Sequence, residues 1–537
     1  MNVHWLKKLR VVVSLFFLIL TSLLFLDYRK MIPESLFSTV LSLQFVPSFL
    51  KFFTVLKITV FGFIVVIVLT LLFGRIYCST ICPLGVLQDV VAYISRKFKS
   101  RRKGRYHYQK AKNILRYTIL GITAVALVFG STYLLLLLDP YSNFGRIMTY
   151  FVKPLLVWVN NLFSPLLARI NVYYLYPVDL KPIKAAVYIV PVIILGLVLW
   201  LSVTRGRLYC NTVCPVGAFL GLLSKFSLFK FRFDTQACTG CHLCEFSCKS
   251  SCLDVVNMTV DETRCVTCFD CLTSCKLGAM SYTTRKALKT DSVIKPVKVR
   301  ESNRKMFNGD HDPGKRVFIL GSLAFLAGIT GISKAKEYVK NAKPTTIPEK
   351  KNFPVTPPGS LSIRHFTDYC TACSLCIDAC PTDVLQPAFM QYGLAGIMQP
   401  TMDYHSGYCN YDCVRCTEVC PTGAILPLKK EAKQTVQTGL AHFVKENCVV
   451  YTDETNCGAC AEHCPTKAVH MVPYKEDLVI PETNDDICIG CGACEHVCPT
   501  TPFKAIYVDG NEIHNLAEKP KEEKLENPLE KTEDFPF

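Results

Sequence analysis

Two stretches of this chain carry the same pattern. GRIYCSTICPLGVLQ at 74–88 and GRLYCNTVCPVGAFL at 206–220 both read Gly-Arg-x-Tyr-Cys-x-Thr-x-Cys-Pro-x-Gly. Each copy follows a long apolar run, so each delivers a CxxxCP pair to a membrane face. Self-similarity at matching places in two halves reads as a duplicated two-helix unit. Two hairpins of like orientation are related by an axis along the membrane normal, which would bring Cys78, Cys82, Cys210 and Cys214 towards one another.

The apolar runs define the membrane part. Half of the 537 residues are hydrophobic, more than a soluble multidomain chain needs. Lys7, Lys8 and Arg10 precede a first run at 11–26, which is long for the apolar region of a cleavable signal peptide. Further runs at 52–73, 114–138 and 185–203 complete four expected spans. The stretch 96–112 holds nine Lys or Arg and no acidic residue, which places it in the cytoplasm. The net charge of +17 gathers beside the apolar runs, so topology accounts for it without nucleic acid. The Pro-interrupted run 151–167 and the Tyr173, Tyr174 and Tyr176 cluster read as interfacial structure on the outer face. An all-α transmembrane bundle of four helices is therefore expected over 1–227.

Twenty-nine cysteines dominate the remainder. They fall in tight runs that suit metal ligation rather than the disulfide scaffold of a short secreted chain. Cys238, Cys241, Cys244 and Cys248 make one CxxCxxCxxxC run, and Cys265, Cys268, Cys271 and Cys275 another. In two-cluster ferredoxins three closely spaced cysteines wrap one cubane while the fourth reaches the partner cluster. The spacing thus predicts one 4Fe-4S cluster on Cys238, Cys241, Cys244 and Cys275, and one on Cys265, Cys268, Cys271 and Cys248, in a cytoplasmic domain at 228–285. Zinc sites usually show two separated CxxC pairs instead. Neither fourth cysteine is followed by the usual proline, and Cys252 is left over.

A basic linker at 286–316 leads to a fifth apolar segment at 317–335, and a Pro-rich linker follows at 336–359. The residues Gly314-Lys315-Arg316-Val317 resemble a twin-arginine export signal with lysine in the first arginine position. Export of a folded domain suits clusters that must be inserted before crossing. The exported domain expected at 360–514 holds four runs: Cys370, Cys373, Cys376 and Cys380; Cys409, Cys413, Cys416 and Cys420; Cys448, Cys457, Cys460 and Cys464; and Cys488, Cys491, Cys494 and Cys498. Each last cysteine precedes a proline, which supports four further 4Fe-4S clusters and six in all. The tail at 515–537 is charged and poor in apolar residues, as in disordered segments.

With these motifs in hand, residues 1–285 resemble the NapH type of membrane ferredoxin, the quinol-dehydrogenase subunit of periplasmic nitrate reductase systems. Residues 315–510 resemble the NapG and MauM type of exported four-cluster ferredoxin. The resemblance implies a cytoplasmic-membrane protein with two α+β ferredoxin-like modules, joined by a signal-anchor-like helix. Its implied work is oxidation of quinol, with electrons passing to a periplasmic redox protein such as a terminal reductase. It also implies a pairing in the second module: Cys370, Cys373 and Cys376 with Cys498; Cys488, Cys491 and Cys494 with Cys380; Cys409, Cys413 and Cys416 with Cys464; and Cys448, Cys457 and Cys460 with Cys420.

Beside the resemblance, the residues restrict the mechanism. No histidine lies in an expected span, so an intramembrane bis-histidine haem is excluded, and no GxGxxG or Walker fingerprint offers a flavin or nicotinamide site. A hydrocarbon core of roughly 30 Å lies between the two modules, long for one electron step, so a quinone or another centre should bridge it. Cys78, Cys82, Cys210 and Cys214 are candidates for a shared cluster or a redox thiol set; the plainer reading is that Pro83 and Pro215 only set a turn. Asp139, expected at the outer end of the third span, is a candidate proton acceptor from quinol, against a helix-ending structural role. A maturation factor for another metalloenzyme and a plain electron-storage module are the competing functional classes.

Overall fold

A computed structural model describes residues 3–26, 34–55, 62–98, 104–169, 171, 175–178, 185–284 and 346–519. The expected basic linker, the fifth apolar segment and most of the tail lie outside the described residues. The chain divides into two compact units: Met1–Thr346 with Asp368–Asp378 and Pro421–Gly423, and Ile347–Thr367 with Ala379–Cys420 and Ala424–Phe537.

The first unit is built on a repeat larger than the two-helix unit expected. Its first half runs through helices Val3–Leu26, Glu34–Ser42, Phe45–Val55, Gly62–Phe73, Tyr77–Thr80 and Pro83–Phe98. Its second half runs through Asn113–Val128, Tyr133–Leu138, Pro140–Ile147 continued by Lys153–Ala168, Ile189–Arg205, Leu208–Thr212 and Pro215–Ser224. The motif tyrosines tie both halves together alike. The Tyr77 hydroxyl donates to Gln44 Oε1 (3.3 Å) and accepts from the Phe45 N–H (3.2 Å). The Tyr209 hydroxyl donates to the Leu138 carbonyl (3.0 Å) and accepts from Asn143 Nδ2 (3.0 Å). Each tyrosine thus satisfies backbone at the break between a short helix and the next one, where unpaired groups are inevitable.

Three helices are long and apolar enough to cross a membrane: Trp5–Leu26, Pro140–Ala168 and Ala185–Arg205. Their outward faces carry exposed Phe16, Ile19, Leu155, Trp158, Leu162, Ile193 and Trp200, surface that water would disfavour. Two of the four expected runs, 11–26 and 185–203, fall in these helices. Among the described residues the run 114–138 breaks after Val128, where Gly130 takes a φ of +81°, and the run 52–73 is helical up to Val55 and again from Gly62. The stretch read as interfacial, 151–167, is helical and belongs to a segment long and apolar enough to cross. Its Pro154 does not stop the helix because the π-helical turn Met148–Val152 precedes it and absorbs the backbone disruption, and Pro165 falls in the last turn.

Residues 229–284 are closed by the antiparallel pair Phe229–Phe233 and Met280–Thr284, with a second pair Leu253–Asp254 and Thr259–Val260. One-turn helices Leu243–Ser247 and Asp270–Ser274 lie between them. Phe231, Phe269 and Tyr282 fill the core beside the cysteines. Glu262 in this region is an energetic fault. Burial pushes its carboxyl up to about 7 against the nearby Lys230 and Arg232 charges, and Oε1 has no hydrogen-bond partner. A raised folded pKa means that ionisation opposes folding, so stability falls as pH rises from about 4.5 through 7. Glu262→Gln is therefore expected to raise the thermal midpoint at pH 8 and leave it nearly unchanged at pH 5. An equal shift at both pH values would contradict this.

In the second unit, Val436–Phe443 pairs with Ile506–Leu516, Val469–Lys475 with Leu478–Thr483, and Leu385–Pro387 with Pro400–Met402, all antiparallel. These short ribbons hold the cysteine loops.

Candidate iron-sulfur centres

At the heart of the first unit the two motif copies face one another. Each begins with a glycine at positive φ, Gly74 at +78° and Gly206 at +68°, which turns the chain out of the preceding helix. Their arginines then cross over. Arg75 donates to the Cys210 carbonyl (3.1 Å), and Arg207 donates to the Cys78 carbonyl. The space for this comes from the motif's last glycine: a Cβ on Gly85 would lie 2.3 Å from the Cys78 carbonyl, and one on Gly217 2.2 Å from that of Cys210. Cys78, Cys82, Cys210 and Cys214 are all buried and near enough to feel one another's charge. Pro83 and Pro215 open helices, as the plainer reading held, and Cys214 caps the second of them.

The repeat is broken at one place. Asp89 has no counterpart in the second copy, where Gly221 stands and leaves room for the Arg116 guanidinium. Asp89 is buried and accepts from Arg207 (2.7 Å), Arg10 (3.1 Å) and Lys249 (3.2 Å). Burial opposes its ionisation, but the Arg207 and Lys249 charges outweigh that and hold the carboxyl far below the usual range. Lys249 also pairs with Asp270 (3.1 Å), and Lys7 joins it there (2.9 Å). Lys249 occupies the position where a proline was expected after Cys248; the departure serves a salt-bridge clamp that proline could not make.

The 238–275 region brings together the sets expected from its spacing. Cys244 has Cys275, Cys238 and Cys241 as charged neighbours, and Cys271 has Cys268, Cys265 and Cys248. One pocket is lined by Cys248, Cys265, Cys268 and Cys271, together with the leftover Cys252. Cys252 Sγ lies 3.6 Å from Cys248 Sγ, and its hydrogen bond pulls the Cys248 thiol down to about 7. Hydrogen bonds to cluster sulfur are one of the determinants of potential. Because they stabilise the more negative reduced state, Cys252→Ala is expected to lower the potential of one cluster in an EPR redox titration; an unchanged set of potentials would remove this role.

In the second unit the pairing implied by the resemblance is not the one formed. Cys498 lines one pocket with Cys448, Cys457 and Cys460, so it is not a partner of the 370–376 run. Cys494 lies among Cys491, Cys488 and Cys464, where Cys380 had been expected. Cys416 lies among Cys409, Cys380 and Cys413, where Cys464 had been expected. The third and fourth runs exchange their last cysteines with one another. That leaves Cys420, whose Sγ accepts from the Ile425 N–H (3.4 Å), outside the 448–460 set to which it had been assigned. A separate group, Glu349, His405 and Glu495, has metal-ligand spacing, but Lys351 pairs with both carboxylates and supplies the charge a metal would.

Cys370, Cys373 and Cys376 are buried in the first unit, where side chains of the Pro140–Ala168 segment hold them. Arg146 donates to the Ala372 carbonyl (3.1 Å) and the Thr371 carbonyl (3.2 Å), Lys153 pairs with Asp378 (2.7 Å), and Thr149 bonds the same carboxylate. Arg146 also donates to Asn143 Oδ1 (3.0 Å), and Asn143 to the Tyr209 hydroxyl. A continuous polar chain thus runs from the motif core to the 370–376 loop. Asp139 caps the Pro140–Ile147 helix, accepting from the Ser142 N–H (2.8 Å) and hydroxyl (2.7 Å). That is the structural role, and it accounts for one of its two oxygens.

A family model for a 4Fe-4S binding domain matches residues 57–101 and 188–234, and one for a 4Fe-4S dicluster domain matches 369–424 and 455–501. Ferredoxin-type protein NapF of Escherichia coli K12 is 28% identical over 136 residues, 25% of this chain and 74% of that protein. Methylamine utilization ferredoxin-type protein MauM of Methylophilus methylotrophus is 33% identical over 142 residues, 25% of this chain and 61% of that protein. This chain is a ferredoxin-type 4Fe-4S protein related to NapF and MauM at low identity. The uncharacterized protein MJ0749 of Methanocaldococcus jannaschii is 26% identical over 227 residues, 42% of this chain and 70% of its own length. The 4Fe-4S binding matches enclose both CxxxCP motifs, and the first dicluster match spans the first two runs of the iron-sulfur protein's C-terminal part.

The spacing of cysteines did not point to Asp89, Lys249, Arg10 or Arg146. The repeated arginines of the motif were a visible signal for Arg75 and Arg207; a single Asp on one copy and an arginine in an apolar run offered none.

Proposed function

We propose that this iron-sulfur protein oxidises quinol at the cytoplasmic membrane and passes its electrons through 4Fe-4S clusters to a redox protein or terminal reductase on the outer side. One observation carries the reading. Within a single compact unit, the motif core and a polar chain leading from it bind backbone carbonyls of both cysteine-rich regions: Arg75 and Asn211 hold Thr263 (3.0 Å) and Ser250 (3.3 Å), and Arg146, joined to Tyr209 through Asn143, holds Thr371 and Ala372. Such a core suits transfer between the two sets of clusters. Three helices fit for a membrane and the resemblance to fused NapH-type and NapG-type proteins support the quinol end.

In this reading six clusters occupy the cysteine runs, with Cys238, Cys241, Cys244 and Cys275, and Cys265, Cys268, Cys271 and Cys248, on the cytoplasmic side. Cys380 serves the 409–416 run, Cys464 the 488–494 run and Cys498 the 448–460 run. Each quinol releases two electrons and two protons, and each cluster carries one electron at a time, so one quinol needs two transfers. The test is turnover. Protein in liposomes containing a reduced menaquinone analogue should reduce an external soluble one-electron acceptor; absence of turnover with iron content intact would overturn the reading.

A further inference from the structure

We propose that Cys78, Cys82, Cys210 and Cys214 together hold one more 4Fe-4S cluster, shared by the two halves of the repeat. The inference rests on the chain being an iron-sulfur electron carrier and does not depend on quinol as donor.

The first support is the donor set around the sulfurs. Cys82 and Cys214 stand immediately before the helices opened by Pro83 and Pro215, where backbone N–H groups are free to donate. Gly217 N–H donates to Cys214 Sγ (3.3 Å), and Gly85 N–H is directed to Cys82 in the same way. Gln88 Nε2 donates to Cys210 Sγ (3.3 Å), and Arg75 Nη2 lies 3.8 Å from Cys78 Sγ. All four sulfurs therefore meet a donor, which is what metal-bound thiolates require and what neutral thiols do not. The CPxG portion of the motif gains a reason: cysteine as helix cap, proline in the first turn, and glycine because the opposite arginine and carbonyl leave no room for a Cβ.

The second support is charge. Arg75 is fully buried, and among the described residues no carboxylate pairs with it. Its partners are Asn211 Oδ1, two carbonyls and Cys78 Sγ, while its Nε has no partner. A buried guanidinium without a counter-charge is costly, and anionic sulfur is the acceptor at hand. The wider balance agrees in sign. Arg10, Arg75, Arg116, Arg207 and Lys249 outnumber Asp89 and Asp270 around the motif core. An oxidised cubane on four thiolates would add negative charge there.

The third support is convergence. All four cysteines are buried, and Cys82 and Cys214 each lie within reach of the charge of Cys78 and Cys210. A cluster here would accept one electron and give up one, with no bond formed or broken. It would stand between the Ser250 and Thr263 contacts and the Tyr209–Asn143–Arg146 chain, and so shorten the long step across the membrane part.

Iron and acid-labile sulfide on anaerobically purified full-length protein give the test. Wild type should hold about 28 iron atoms for seven cubanes, and Cys78→Ser with Cys210→Ser about 24, the six remaining EPR signals being retained. Equal iron and unchanged spectra in the two proteins would overturn the proposal. Because that variant removes two buried groups, Gln88→Leu is the milder companion; leucine is the residue at the matching position of the second copy, Leu220. It should lower the potential of one signal and leave the rest in place, and no shift in any signal would count against the site.

Discussion

Asp89→Asn is expected to destabilise the first unit by about 3–5 kcal/mol, the cost of removing one partner from a buried ionic cluster. The carboxylate is a shared acceptor for Arg207, Arg10 and Lys249. Asparagine keeps the shape but removes the charge, leaving buried cations facing one another. Because Lys249 follows a cysteine of the 238–248 run and Arg207 precedes Cys210, the effect should reach both the ferredoxin domain and the motif core. Thermal unfolding in detergent should show a large fall in midpoint, with Asp89→Glu recovering part of it. A change of less than about 1 kcal/mol would mean that the three cations are solvated and that the cluster is not a structural centre.

Arg146→Met should release the loop that carries Cys370, Cys373 and Cys376. The guanidinium is fully buried and donates to the carbonyls of Leu136 (2.8 Å), Thr371 and Ala372, as well as to Asn143. Each buried carbonyl left without a donor costs about 1–3 kcal/mol, so the three together exceed about 3 kcal/mol. Hydrogen exchange of amides in 368–378 should then accelerate by about a hundredfold or more, since each 1.4 kcal/mol is tenfold. Exchange that stays as slow as in the parent protein would show that Lys153 and Thr149, through Asp378, suffice to hold the loop.

The duplicated motif was legible because it is local and literal: two copies of one pattern predict two like structures, and their cysteines are all buried within reach of one another's charge. The size of the repeat was not. The short helices Glu34–Ser42 and Tyr133–Leu138 have little sequence in common, and their equivalence appears through the Tyr77 and Tyr209 hydroxyl contacts. Helix continuity misled in both directions. Hydropathy sees no difference between one helix and two joined at Gly130, and prolines at 154 and 165 look like breaks unless a π turn and a helix end are known to receive them. Lys7 and Arg10 were read through membrane topology, yet both also form ion pairs, with Asp270 and Asp89. The cysteine exchange in the 360–514 region shows the limit most clearly. Spacing tells which three cysteines wrap one cluster, but which run lends the fourth depends on how the loops are folded together.

In the proposed function, quinol feeds electrons into the clusters. The most direct measurement is anaerobic EPR of the detergent-purified protein before and after addition of a reduced menaquinone analogue. Cluster signals that appear with the quinol are the predicted result. Signals that appear with dithionite and not with the quinol would contradict the account and remove quinol as the donor.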